Sequence, residues 1–316
     1  MTAEYQNELV YGLNNIKPRH LGCVLTMGSF DGVHLGHQQV LAKVISKAQE
    51  HNVPSAVMIF EPQPLEFLAP EKAPARLMRF REKVQALFAA GVDRVFCLRF
   101  NKNTSAYTAK SFTEKVLVAK LGVKHLVVGD DFRFGYGRSG DFETLKQYGE
   151  ELGFTVSDTQ THAEQGERIS STRIREALAE GDFELAERLL GKPYTITGHV
   201  VYGNQLGRQL DVPTANVELH RFRSPISGVF TVKASLPGQS DLYGVANVGK
   251  KPTIKGNHRV ILEVHLLDFA ENIYGQMLTV QFCHKLREEQ RFESLEALKA
   301  QIMHDIEQGR AYFSNT

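Results

Sequence analysis

The sequence predicts two domains of different class: a parallel-sheet α/β domain, then an antiparallel β-barrel with a C-terminal helix. Three observations predict this. Over residues 22–160 short apolar runs alternate with helix-like runs. Beyond Gly191-Lys192-Pro193 apolar runs follow one another across turns with no long helix between them, and one amphipathic stretch ends the chain. The first pattern suits a parallel sheet, because each parallel strand needs a crossover connection. The second suits a barrel. With 316 residues the chain can form two cores, and the change of pattern puts the division at 1–186 and 187–316.

In the first half CVLTM, SAVMIF, RVFCLRF, HLVVG and FTVSDTQT read as strands. Between them GHQQVLAKVISKAQEH, RFREKVQALFAAG, TAKSFTEKVLVAKLG and DFETLKQYGEELG carry apolar residues at three- and four-residue steps and read as helices. SSTRIREALAEGD and FELAERLLG add two more. In the second half TITGHVVYG, VFTVKASL, LYGVANVG, RVILEVHLLDF and MLTVQFCHKL read as strands, with PGQS and KGNH as turn signals. SLEALKAQIMHDIEQGRAYF forms the last helix.

Composition narrows the function. Lys+Arg 37 against Asp+Glu 36 leaves a formal charge of +1, so there is no broad basic surface for nucleic acid, and any phosphate recognition has to be local. Cys23, Cys97 and Cys283 are odd in number and far apart, which indicates neither a disulfide framework nor a zinc ribbon and fits a cytoplasmic protein. The N-terminal residues lack the pattern of an export signal, and no apolar run reaches membrane-spanning length. Oligomeric state is not legible.

The chemistry begins in LTMGSFDGVHLGHQQVL, residues 25–41: a strand, a glycine loop, and two histidines three apart at a helix start. A helix start offers free N–H groups to an anion, and two imidazoles add to that field. The loop falls beyond the carboxyl end of its strand, where α/β sheets bind ligands, as does GDDFRFG. Zinc is the weaker rival, since the Glu of H-E-x-x-H is absent and no third ligand is near.

Thr26, Gly28, Phe30, Asp31, His34, Gly36 and His37 resemble the T-x-G-x-F-D-x-x-H-x-G-H signature of the nucleotidyltransferase superfamily. Ser170-Ser171-Thr172-Arg173-Ile174-Arg175 supplies its second half. The resemblance implies a Rossmann-like domain. It also implies that Gly28, Phe30, His34, Gly36, His37, Ser171, Thr172 and Arg175 bind ATP, with His34 and His37 catalytic. A phosphate nucleophile is already ionised and needs no base; such a site needs donors for the charge that builds on the transferred group and on pyrophosphate.

Val128-Gly129-Asp130-Asp131-Phe132-Arg133-Phe134-Gly135 is similar to the V-G-x-D-F-x-F-G segment of bacterial FMN adenylyltransferases, which implies a flavin or nucleotide loop at Asp131, Phe132 and Phe134. Pro213-Thr214-Ala215-Asn216 resembles the P-T-A-N motif of riboflavin kinases. Gly207-Arg208, Gly228-Val229-Phe230, Gly244 to Gly249, Glu263, Tyr274-Gly275 and LREEQRF stand in that family's order. The chain is thereby identified as a member of the bacterial bifunctional riboflavin kinases/FMN adenylyltransferases. Membership implies conversion of riboflavin to FMN and then FAD, with ATP and Mg2+ or Mn2+, and no nucleic-acid or membrane partner.

Thr214 and Asn216, i and i+2 in an extended segment, share a face and can hold a hard cation through oxygen. The resemblance adds Gly207, Arg208 and Arg287 to the kinase's ATP or flavin contacts. A riboflavin hydroxyl has to lose a proton to attack phosphorus, and Glu263, in an otherwise apolar strand, is the candidate base. Gly244 to Lys251 nearly spells a Walker A loop, but it lacks the following Ser/Thr and runs into Pro252. The family pattern is broken at Asp211, where glycine is usual, at Val212, at Ser29 and at Gln63. Asp211 leaves open an adenylyltransferase whose weak or inactive kinase domain serves as a flavin-binding module. A flavin sensor without turnover is the third reading.

Overall fold

The computed structural model describes residues 7–129, 131–159, 163–164, 167–203, 212–219, 221, 223–252 and 258–315. Contacts divide the chain into two compact units, Met1–Pro74 with Met78–Ser171, and Ala75–Leu77 with Thr172–Thr316.

The first unit holds β1 (Glu8–Tyr11), β2 (Cys23–Met27), β3 (Ser55–Glu61), β4 (Arg94–Arg99), β5 (Val123–Gly129) and β6 (Thr155–Thr159), with a two-stranded ribbon of β7 (Ala163–Glu164) and β8 (Glu167–Arg168). Its helices are α1 (Leu35–His51), α2 (Pro64–Leu68), α3 (Phe80–Ala89), α4 (Lys102–Ser105), α5 (Ala109–Phe112) and α6 (Phe142–Leu152). The six-stranded sheet runs β1-β4-β3-β2-β5-β6, every pair parallel. All five residues of β2 are buried, as a central strand covered on both faces requires. The chain winds outward from β2 through β3 and β4, then returns to β5 on the other side of β2. That reversal makes the carboxyl ends of β2 and β5 the switch point of the sheet, the usual crevice for a ligand.

Several elements differ from the sequence reading, among them the short α2, α4, β7 and β8. β1 is an additional edge strand, registered Glu8 to Arg94; with only Val10 of its four residues buried, it carries no periodic signal. The helix expected over residues 108–122 is the single turn α5 followed by a wide π-type turn, Thr113–Val118. α6 shows why the other helices were legible: the Asp141 side chain accepts the Thr144 N–H at its start, and Gly153 takes the left-handed conformation at its end.

The second unit contains α7 from Thr172 onward (Ser171–Glu180 in full), α8 (Phe183–Leu190), and β9 (Thr195–Val201), β10 (Ala215–Val217), β11 (Gly228–Leu236), β12 (Gln239–Pro252), β13 (His258–Leu266) and β14 (Met277–Arg287), then α9 (Leu295–Ser314). The strands close as β10-β13-β12-β11-β14-β9, antiparallel throughout. The sequence reading had five of the six; β10 is only three residues long. Val260, Leu262, Val264 and Leu266 point inward and are buried, while the alternate residues face outward. The division expected after residue 186 falls inside α8. Phe183, at the head of α8, packs its ring against Phe230 and Phe282 of the barrel at 5.7 and 6.1 Å, so this helix belongs to the barrel core.

Candidate active sites in the two units

Strand β2 ends at Met27 and the chain enters the glycine loop. Phe30 and Val33 adopt positive φ, 46° and 42°, a conformation costly for residues with a Cβ and held here because both side chains are buried in the core. Gly28 allows a close approach: a Cβ there would stand 3.1 Å from the Phe30 ring, which would have to give by a few tenths of an ångström. Asp31 is buried and pins the loop twice. Its carboxylate accepts the Met78 N–H at 3.1 Å, and its carbonyl accepts the Ser171 hydroxyl at 2.9 Å. The two halves of the signature are therefore tied together by Ser171, whose hydroxyl is spent on that tie.

His34 is the N-cap of α1, not a residue within the helix; its Nδ1 accepts the His37 N–H at 3.3 Å. The acceptor role leaves Nε2 as the protonated nitrogen of a neutral His34 ring. The two imidazoles stack at 3.6 Å between centroids, 17° from parallel, and His37 also lies 4.8 Å from the Phe30 ring. A Cβ on Gly36 would come within 3.3 Å of the His34 ring, so glycine makes room for it. His37 Nδ1 is buried with no hydrogen-bond partner among the described residues. Burial, with the charges of His34 and Lys83 behind it, holds the His37 pKa well below 6.5. That burial favours the neutral form of His37. A neutral ring serves as a hydrogen-bond donor, and the helix start supplies the positive end.

At the end of β5, Asp131 pairs with Arg168 at 2.8 Å, and that hydrogen bond holds its carboxyl below the usual range. Phe134 is a core residue, bridged to Gly140 and stacked on the half-buried Phe132 at 5.7 Å. Of the downstream residues, Thr172 is exposed and Arg175 donates through Nε to the Ala75 carbonyl at 2.6 Å.

In the barrel, Asn216 on β10 stands opposite Glu263 on β13. Thr214 and Asn216 are both half-buried, as is Glu263. His265 donates from Nδ1 to the Pro213 carbonyl at 2.9 Å, fixing the start of the P-T-A-N segment. The Asn216 carboxamide lies over Gly203, where a Cβ would be only 2.4 Å away. A cavity of about 230 Å³ opens at Thr214 and Ala215, lined also by Val264, Leu266, Phe269 and Tyr274 among others. Arg287 is committed elsewhere: it grips Asp305 of α9 through Nε and Nη2 at 2.9 and 2.7 Å, and Nη1 donates to the Glu288 carbonyl. That pair clasps β14 to α9. Gly207, Arg208 and Asp211 lie outside the described residues.

The sequence reading missed Asn247. It stands opposite Glu263 on the side away from Asn216, inside the run that nearly spells a Walker A loop, and its Oδ1 is buried without a partner among the described residues. Only the strand register reveals it.

A parallel sheet with a phosphate-type loop at its switch point, and a closed barrel with a carboxylate beside paired oxygen donors, define an enzyme of two nucleotide-dependent transfers. Comparison with known proteins makes this specific. The sequence model of the FAD synthetase family matches residues 16–173 and that of riboflavin kinase residues 190–313. The bifunctional riboflavin kinase/FMN adenylyltransferase of Pseudomonas fluorescens is 54% identical, covering 96% of this chain and 97% of its own. That of Haemophilus influenzae is 50% identical, covering 98% and 100%. The crystal structure of a macrolide-efflux protein from Streptococcus pneumoniae is similar at a TM-score of 0.78 and 30% identity, covering 96% of this chain and 98% of that one. Among the described residues no helix is long and apolar enough to cross a membrane.

The chain belongs to the bifunctional riboflavin kinase/FMN adenylyltransferase family. It phosphorylates riboflavin to FMN and transfers an adenylyl group from ATP to FMN, giving FAD. A barrel that only binds flavin is not favoured, since the riboflavin kinase family is matched across it.

Proposed function

We propose that the two reactions use separate residue sets, one in each unit. In adenylyl transfer, Gly28, Gly36 and the start of α1 cradle the ATP phosphates, and His34 and His37 donate hydrogen bonds as charge builds on the α-phosphate and pyrophosphate. Ser171 positions that loop. Asp131 and Phe132 face the flavin side, with Phe134 supporting them from the core. No base is required, because the FMN phosphate is already ionised.

In the kinase reaction Glu263 takes the proton of the riboflavin hydroxyl that attacks the γ-phosphorus. Thr214 and Asn216 fit a Mg2+ ion: two neutral oxygen donors two residues apart on one extended segment, beside a cavity, leave the remaining positions to phosphate oxygens and water. When bound, the ion would neutralise charge on the transferred phosphoryl group. The observation that supports this reading is the register of Asn216 opposite Glu263, two neighbouring oxygen-bearing side chains on one face. Unpaired Cys23, Cys97 and Cys283 support a cytoplasmic site of action.

The test is a Mg2+ titration of both activities in Thr214→Val. The concentration for half-maximal FMN formation should rise at least tenfold, and that for FAD formation from FMN should not move. A parallel rise in both, or in neither, would remove Thr214 from the kinase.

A further inference from the structure

The outer face of the barrel around Glu263 is rich in acceptors. Asn216, Glu263 and Asn247 stand side by side on β10, β13 and β12, in direct register, so their side chains emerge on one face about one strand spacing (~4.8 Å) apart. Asn247 Oδ1 is buried and, among the described residues, receives no hydrogen bond. A buried acceptor without a donor is a cost that folds rarely retain, and an exception calls for a ligand that supplies the donor. Two residues along the same face, Gly249 leaves bare backbone, and the Glu289 carboxylate rests where its Cβ would be. Carboxylate, carboxamide oxygen and carboxylate together suit a ligand bearing several O–H donors.

Riboflavin's polyol chain is such a ligand, and only its terminal hydroxyl is phosphorylated. With the phosphate side of the site toward Asn216, a chain whose terminal oxygen reaches Glu263 runs its remaining carbons toward β12. We propose that Asn247 is a substrate-binding, specificity-determining residue of the kinase, its Oδ1 accepting a hydrogen bond from the polyol hydroxyl next to the one phosphorylated. This rests on the assignment of Glu263 as the base.

An acceptor that reads a hydroxyl leaves a distinctive signature. Removing the hydroxyl hurts the native chain, because the acceptor is stranded, but adds little injury to a variant that has no acceptor. The experiment measures kcat and KM for riboflavin and for a flavin lacking the penultimate chain hydroxyl, in the full-length native chain, Asn247→Leu and Asn247→Asp. FAD formation from FMN serves as the folding control. The native chain should favour riboflavin by about tenfold in kcat/KM. Asn247→Leu should lose about tenfold on riboflavin and bring the two flavins within about twofold of each other. Asn247→Asp, which keeps an acceptor, should retain the preference.

An undiminished preference in Asn247→Leu overturns the proposal, as do native riboflavin kinetics in that variant. If the leucine chain lacks the barrel's melting transition, Asn247→Ala is read in its place by the same criteria. The base assignment fails on a different readout, native-rate FMN formation by Glu263→Gln.

Discussion

His34 Nδ1 accepts the backbone N–H of His37 while the two rings stack 3.6 Å apart, so one histidine both caps helix α1 and sets the plane of the other. Capping and chemistry are thus separable at residue 34. His34→Asn should keep the cap, because asparagine is among the best N-cap residues, and should shift thermal melting by no more than a few degrees. It removes the Nε2 donor, so FAD formation from FMN should fall about a hundredfold. Normal FAD formation by a folded His34→Asn chain would confine His34 to capping.

His37→Ala removes a half-buried ring held between His34 and Phe30. FAD formation from FMN should be abolished and FMN formation from riboflavin should survive, as separate timed assays would report. Equal loss of both activities in a folded chain would argue against two independent sites.

How far the sequence reached depended on how local each signal was. α6, with its Asp141 cap and Gly153 stop, was legible because every determinant lies within one run. β1 and β10 were not, since four and three residues carry too little periodicity. The loop from Gly28 to His37 was legible as chemistry because its residues are contiguous. The pairing of Glu263 with Asn216 and Asn247 spans three strands, and only barrel closure creates it. The Arg287–Asp305 pair is not legible either, because nothing in the sequence links the two residues, 18 apart.

His125 gives stability a pH dependence. It is buried on β5, with its ring nitrogens 2.6 Å from the Thr155 hydroxyl and 2.8 Å from that of Ser157. Burial, then the charges of His51, Lys47 and Lys43, push its pKa down to about 4 from 6.5. The unfolded chain therefore binds a proton that the folded chain refuses. The His125 contribution is intact above pH 6.5 and is lost as pH falls toward 4. Relative to His125→Gln, the native chain should lose on the order of 2 kcal/mol across that window. Denaturant melts at pH 7 and 4.5 would measure it, and parallel profiles would refute it.

Arg287 and Asp305 form a nearly buried bidentate pair, with Gln301 as a further donor to the carboxylate. Breaking it by Asp305→Ala strands the guanidinium and should cost about 3 kcal/mol. Riboflavin phosphorylation should become heat-labile while FMN adenylylation keeps its thermal half-life. Unchanged lability of both would show that α9 is held by its apolar contacts alone.

The last prediction concerns where the division of labour can be cut and which group needs a base. Phe183 buries its ring against Phe230 and Phe282, so a barrel fragment starting at residue 187 loses an aromatic plug, whereas one starting at Thr172 keeps it. Deleting a buried phenylalanine typically costs 3–5 kcal/mol, so the 172–316 fragment should melt cooperatively well above the 187–316 fragment. In the intact chain, Glu263→Gln should give no FMN from riboflavin and normal FAD from supplied FMN. The carboxamide preserves shape but cannot take the hydroxyl proton, and the FMN phosphate needs no such help. Chromatography of the flavins after each incubation separates the outcomes: FMN at the native rate would remove Glu263 from its role. Loss of FAD formation as well would show that a change in the barrel reaches the other reaction, which the separation of the residue sets does not allow.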